Sequence, residues 1–117
     1  MSKSAEAPST WQARADIFSG RSAPVWTLTS ARAVRLLSVW DKLDKSMGLR
    51  STEGALGYRG LYLDDSSGRT WHARGHVVAL ISSRSRDTRW DPTREFEREL
   101  LASAPAGLLP PGLLEGI

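Results

Sequence analysis

The chain holds two histidines, His72 and His76, four residues apart. On a helix that spacing sets both imidazoles on one face, about 6 Å apart at Cβ, close enough to share a metal ion. The neighbouring residues argue for a strand instead. Gly75 weakens a helix, and Val77, Val78, Ala79, Leu80 and Ile81 follow as an apolar run of the kind strands favour. Along a strand the same pair stands roughly 13 Å apart, at ~3.3 Å per residue, too far for one ion. No carboxylate adjoins either histidine in the sequence. The reading is therefore no metal site and no cofactor. The imidazoles remain as acid–base groups, as ligand-binding groups, or as ordinary residues of a sheet face.

Strand alternation adds a detail. If 69–82 is one regular strand, His72, Arg74, His76, Val78 and Leu80 share a face. Trp71, Ala73, Gly75, Val77, Ala79 and Ile81 share the other, which is the better core. The first face would lie opposite Tyr58, Arg59 or Tyr62 on a partner strand. A surface carrying Tyr, His and Arg can bind an anion, a planar ring or nucleotide bases. The bland alternative is the solvated side that antiparallel sheets commonly have. Trp26 and Trp90 are placed on flanking loops as further contacts.

Other constellations are weaker. Arg84, Arg86, Arg89 and Trp90 lie in a segment, 83–90, read as a basic loop. Arg and Trp together grip phosphates and stack bases, yet Asp87 and Asp91 interrupt the run. Ser19-Gly20-Arg21-Ser22 follows a strand as a phosphate cradle would, but no GxxxxGK[ST] or GxGxxG pattern is present. Asp64 and Asp65 form a carboxylate pair where a hairpin turn would want Asp in any case. The chain has no cysteine, which removes thiolate nucleophiles, thiolate metal sites and disulfides together.

The elements that must position these residues follow from periodicity. Residues 1–10 are small and polar and read as a disordered arm. From 11 to 18 apolar and polar residues alternate, with Trp11, Ala13, Ala15 and Ile17 on one side, as in a half-buried strand. Pro24 keeps the next loop extended, with Trp26 and Leu28 following. Thr29 and Ser30 are helix N-cap types. After them Ala33, Leu36, Leu37, Trp40, Leu43 and Met47 make one apolar stripe, and Gly48 is placed to stop the helix. Residues 48–55 read as a connection, 56–63 as a strand, 64–68 as a turn and 69–82 as the second arm of a β-hairpin. Asp91-Pro92 starts a second helix running to about Ser103, with Phe96, Leu100, Leu101 and Ala104 buried and Glu95, Glu97, Arg98 and Glu99 in solvent.

The fold expected is α+β in the order β-α-β-β-α: a small antiparallel or mixed three-stranded sheet, two helices packed on one face, and an apolar C-terminal tail. Its domain spans 11–104. The tail, 105–117, carries Leu108, Leu109, Leu113, Leu114 and Ile117 among Pro and Gly, and docks either on the domain or on a partner.

Composition narrows the class further. A chain of 117 residues suits one domain. Its net charge of +3 comes from 16 basic and 13 acidic side chains, a mild excess. Of the bases 13 are Arg, as codon bias in a GC-rich genome gives, or as selection for bidentate anion recognition gives. Five Trp (11, 26, 40, 71 and 90) exceed what so small a core uses, leaving some for interfaces. The N-terminus has no secretory h-region, and no apolar stretch approaches the ~20 residues of a membrane span, which reads as a cytoplasmic protein off the membrane.

The functional expectation is a small non-enzymatic binding or adaptor protein. Its partner is a protein or peptide, with a homodimer through the tail or a sheet edge as one form and a small-molecule ligand as another. The contacts expected are Tyr58, Arg59, Tyr62, His72, Arg74, His76, Trp26 and Trp90. Two alternatives stand beside it. One is a small enzyme or accessory subunit using His72 or His76 as acid or base. The other, less favoured, is a module for RNA or single-stranded DNA.

Overall fold

The alternation at the start of the chain does become a strand. In the computed structural model, which describes residues 10–17, 23–45 and 58–109, β1 (Trp11–Ile17) buries Trp11, Ala13 and Ala15 and turns Gln12, Arg14 and Asp16 outward. The extended segment after Pro24 is itself a strand, β2 (Val25–Leu28), pairing antiparallel with β1 and burying Trp26 and Leu28. Thr29 then caps α1 (Ser30–Lys42): its Oγ1 accepts the Arg32 N–H at 3.2 Å. α1 buries Ala33, Leu36, Val39 and Trp40, with Leu37 and Leu43 partly covered. The helix ends at Lys42, short of the expected Met47, because the Leu43 backbone turns extended and the chain enters β3 (Asp44–Lys45). The expected arm over 1–9, the Ser19–Ser22 segment, Met47, Gly48 and the 48–55 connection, and residues 110–117 of the tail lie outside the described residues.

The predicted hairpin is present as β4 (Tyr58–Asp65) and β5 (Thr70–Arg74). Its turn is built on Asp65, whose carboxylate accepts from the Ser67 N–H and hydroxyl and from the Arg69 N–H and Nε. The stretch 69–82 is not one strand. It breaks at Gly75-His76 into β5 and β6 (Val77–Ile81), which pair antiparallel. Gly75 has φ +63, a left-handed conformation that a two-residue hairpin turn gives to glycine at its first central position. The expected basic loop is also a strand, β7 (Arg86–Trp90), paired with β6. Alternation splits its charges: Asp87 and Arg89 turn toward the helices, Arg86, Thr88 and Trp90 away. The Arg89 guanidinium lies 4.1 Å from the centroid of the Trp40 ring and donates to the Trp40 carbonyl at 2.8 Å, so its charge closes the end of α1.

The expected three-stranded β-α-β-β-α arrangement is therefore wrong in its sheet. The described strands form one seven-stranded antiparallel sheet in the order β2-β1-β4-β5-β6-β7-β3, and the fold is α+β with two helices. β2 and β3 lie at opposite ends of the strand order, so α1 carries the chain from one edge of the sheet to the other.

The second helix, α2 (Glu95–Ala102), starts later than the expected Pro92: residues 91–94 form a turn and Arg94, not Asp91, is at the N-cap position. The Asp91 carboxylate accepts the Glu95 N–H at 3.0 Å and the Phe96 N–H at 2.8 Å, so it caps the helix across an intervening turn. Phe96, Leu100 and Leu101 are buried as expected, but so is Glu97, which was assigned to solvent. Its carboxylate is held inside by the Gly75 N–H at 3.1 Å and by the Arg94 guanidinium at 2.9 Å. Both helices pack with Trp11, Ala13, Leu61, Leu63, Trp71, Ala73 and Val78 in one core. That core consumes four of the five Trp; only Trp90, 39% exposed, stays at the surface. Leu109 packs partly against it, while Leu108 is exposed.

Candidate functional site

The opposite face of the sheet carries no described helix. Its residues are the polar phase of β1, β4, β5 and β7 together with the apolar Val77, Ala79 and Ile81 of β6 and Val25 of β2, and the strand registers align them into cross-strand rows. One row runs Val25, Arg14, Tyr62, His72, Ala79, Thr88. Directly opposed side chains in a sheet are near enough to interact, and here three of them stack. The Arg14 guanidinium carbon lies 4.1 Å from the centroid of the Tyr62 ring. The Tyr62 and His72 rings have centroids 4.4 Å apart with planes inclined by 22°. Tyr62 is thus sandwiched between a cation and an imidazole.

Asp64, two residues further along β4, fixes the cationic end. It accepts from Arg14 Nε at 2.9 Å through one oxygen and from the Thr70 hydroxyl at 2.8 Å through the other. The hydrogen bond to Asp64 raises the Arg14 pKa further, against the opposing effect of partial burial. Gly60 fixes the other end. Its φ is +116, and a Cβ built there would stand 2.7 Å from both the Ala73 carbonyl oxygen and His72 Nε2. Only glycine leaves the imidazole room to lie against Tyr62.

A second aromatic pair stands at the far side of the sheet. His76, in the β5–β6 turn, has its ring 5.0 Å from that of Trp90 at the end of β7. His76 Nδ1 lies 3.2 Å from the Asp91 carbonyl oxygen, a hydrogen bond for the tautomer protonated at that atom. The Asp91 N–H donates back to the His76 carbonyl at 2.7 Å. Val77, Ala79 and Ile81 of β6 occupy this same face, because the turn at Gly75 resets the alternation; Val77 and Ala79 are buried there as expected of core residues, while Val78, expected on the surface, is buried on the helix side and Leu80 packs partly against that core.

The expected contact residues thus separate into groups. Tyr62, His72 and Arg74 share the helix-free face, and Tyr62 and His72 are in contact. His76 meets Trp90 instead of His72. Trp26, expected on a flanking loop, is buried in β2, where its Nε1 donates to the Ser103 hydroxyl at 2.8 Å. Tyr58 and Arg59 belong to β4, and their side chains lie outside the described residues. Arg14 and Thr70 were not singled out from the sequence. Arg14 did carry a signal, since it sits in the polar phase of β1, but its register against Tyr62 comes only from pairing across 48 positions.

Among the described residues the face is close to neutral. By register it presents Arg14, Arg74 and Arg86 against Asp16, Asp44 and Asp64. Among the described residues no three His, Asp or Glu side chains gather where they could hold a metal ion, and no helix is long and apolar enough to cross a membrane. No protein-family model, curated protein or solved structure matches the chain.

Proposed function

We propose that the protein is a non-enzymatic binding module that recognises a protein or peptide through the helix-free face of its sheet, with the Arg14–Tyr62–His72 stack at the centre of the contact. The observation that carries this reading is the stack itself. An aromatic ring lies between Arg14 and His72, with Arg14 fixed by a hydrogen bond to Asp64, on the face of the sheet opposite the helices. A ring fixed in advance loses little rotamer freedom on binding, and Tyr and Arg are the types that concentrate interface energy.

Two features favour a polypeptide partner over the alternatives. The balance of Arg and Asp on the face offers a nucleic acid little net attraction, whereas phosphate-backbone binding rests on a positive excess. The two histidines are separated, one stacked on Tyr62 and the other seated in a turn against Trp90, which are arrangements that position rings. A displayed random-peptide library tests the reading. Selected peptides bind the wild-type protein and lose at least tenfold, about 1.4 kcal/mol, against Tyr62→Ala of unchanged circular dichroism. Selected peptides that bind the two proteins equally, or salt-sensitive retention of an oligonucleotide in their place, refute it.

A further inference from the structure

The outer edge of β2 points to a second function for the fold, self-association. Ala15 N–H donates to the Pro24 carbonyl at 3.0 Å, which makes 15–24 a hydrogen-bonded pair of the β1–β2 ladder. In an antiparallel ladder such pairs alternate with non-bonded ones. With the register Ala13–Trp26 and Trp11–Leu28, the N–H and C=O groups of Trp26 and Leu28 face β1. Those of Val25 and Thr27 therefore face outward, beyond the last strand of the sheet.

Among the described residues nothing pairs with or covers this edge. Natural edge strands carry charges or a Pro that denies a donor to a newcomer. Residues 23–29, Ala-Pro-Val-Trp-Thr-Leu-Thr, hold no charge. Pro24 lacks its donor on the side that faces β1, so it does not blunt the outward side. Val25 is 45% exposed. Leu108, another exposed apolar side chain, belongs to the segment that follows Ser103, the residue bonded to Trp26 of β2.

We infer that β2 pairs antiparallel with β2 of a second copy of this chain, about a two-fold axis at Trp26. In that register Val25 of one copy opposes Thr27 of the other. The same two residues satisfy all four outward groups of each copy's edge, with four hydrogen bonds in total. Two β-branched side chains meet across the joint on the helix-free face, a favourable cross-strand pair, and with no charge on either strand nothing repels the copy. The sheet becomes continuous across both protomers. A four-residue edge buries less than the ~800 Å² per partner of a standard interface, so the dimer is weak and depends on concentration. It is independent of the Arg14–Tyr62–His72 stack.

Sedimentation velocity across about two decades of protein concentration tests this. The wild-type mass rises from 12.9 kDa toward twice that value. Thr27→Pro removes only outward donors, which edge strands tolerate, and it halves the intermolecular bonds. Val25→Lys leaves every backbone group in place and adds a charge. Both variants stay at the monomer mass with unchanged circular dichroism, a synthetic peptide of residues 23–29 shifts the wild type back to monomer, and Tyr62→Ala still dimerises. A wild-type protein that remains monomeric at about 1 mM overturns the inference. So does a dimer that persists in whichever of the two edge variants folds.

Discussion

Replacing Gly60 by alanine perturbs the one backbone position on which the aromatic stack depends. Two costs add. The φ of +116 lies in a region essentially reserved for glycine, which costs an L-residue about 1–3 kcal/mol. The new methyl also stands 2.7 Å from the Ala73 carbonyl oxygen, a backbone atom of the β4–β5 ladder, and 2.7 Å from His72 Nε2. Relieving such overpacking costs about 1–3 kcal/mol more. Gly68→Ala separates the terms, because Gly68 has φ +97 with nothing within 4 Å of its Cβ position; it carries the backbone cost alone. Thermal unfolding followed by circular dichroism reads both. At roughly 4 °C per kcal/mol for a domain of this size, Gly60→Ala melts below Gly68→Ala by a further 4–12 °C or so. The imidazole must also leave Tyr62, so the Tyr62 ring proton resonances shift in Gly60→Ala and stay in place in Gly68→Ala. Equal melting of the two variants, with unmoved Tyr62 resonances, refutes the argument that Gly60 makes room for His72.

Two further predictions concern buried carboxylates. Asp91→Ala strands the Glu95 and Phe96 N–H groups beside a residue that is 1% exposed; a lost cap plus a buried unsatisfied donor costs about 2–4 kcal/mol, read as a lower urea midpoint with an unchanged slope. Asp65 gives a pH dependence. Burial pushes its pKa up, but hydrogen bonds from Arg69 and Ser67 outweigh this and hold it below its ordinary 3.8. The fold thus favours the anion: the contribution is complete above 3.8 and is lost as pH falls through the lower folded-state value. Urea midpoints measured downward from about pH 5 fall less steeply in Asp65→Asn than in the wild type; parallel curves contradict the assignment.

Much of the helix-side architecture could be read from the sequence, because it rests on local signals. The alternation of β1, the Thr29 cap and the Ala33–Leu36–Trp40 stripe, and the Asp65–Gly68 turn each declare themselves within a few residues, and so does a second helix soon after Asp91, although it starts at Glu95. The missing strands do not. β2 has four residues and β3 two, too short to show an alternation, and β3 is defined by a partner, β7, far away in the chain. β7 was hidden by its arginines, since a charged residue such as Arg89 looks like solvent until Trp40 is found beneath it. The break at Gly75-His76 had the largest consequence. One glycine between Arg74 and His76 is compatible with a continuous strand or with a turn, and the turn exchanges the faces of every residue after it. Glu97 was misplaced for a related reason: the Gly75 N–H meets it only once the hairpin has folded against α2. Within the site, Tyr62 and His72 were recognisable as residue types on facing strands. Their stacking, and the part Arg14 and Gly60 take in it, depended on register.

Chemical-shift mapping of the isotope-labelled protein with a library-selected peptide examines the central claim most directly. Resonances of Arg14, Tyr62, His72 and Thr88, which share one cross-strand row, shift on titration, while Val34, exposed on the outer side of α1, stays in place. Perturbations that cluster on α1 and α2 and leave the Tyr62 row untouched would contradict it.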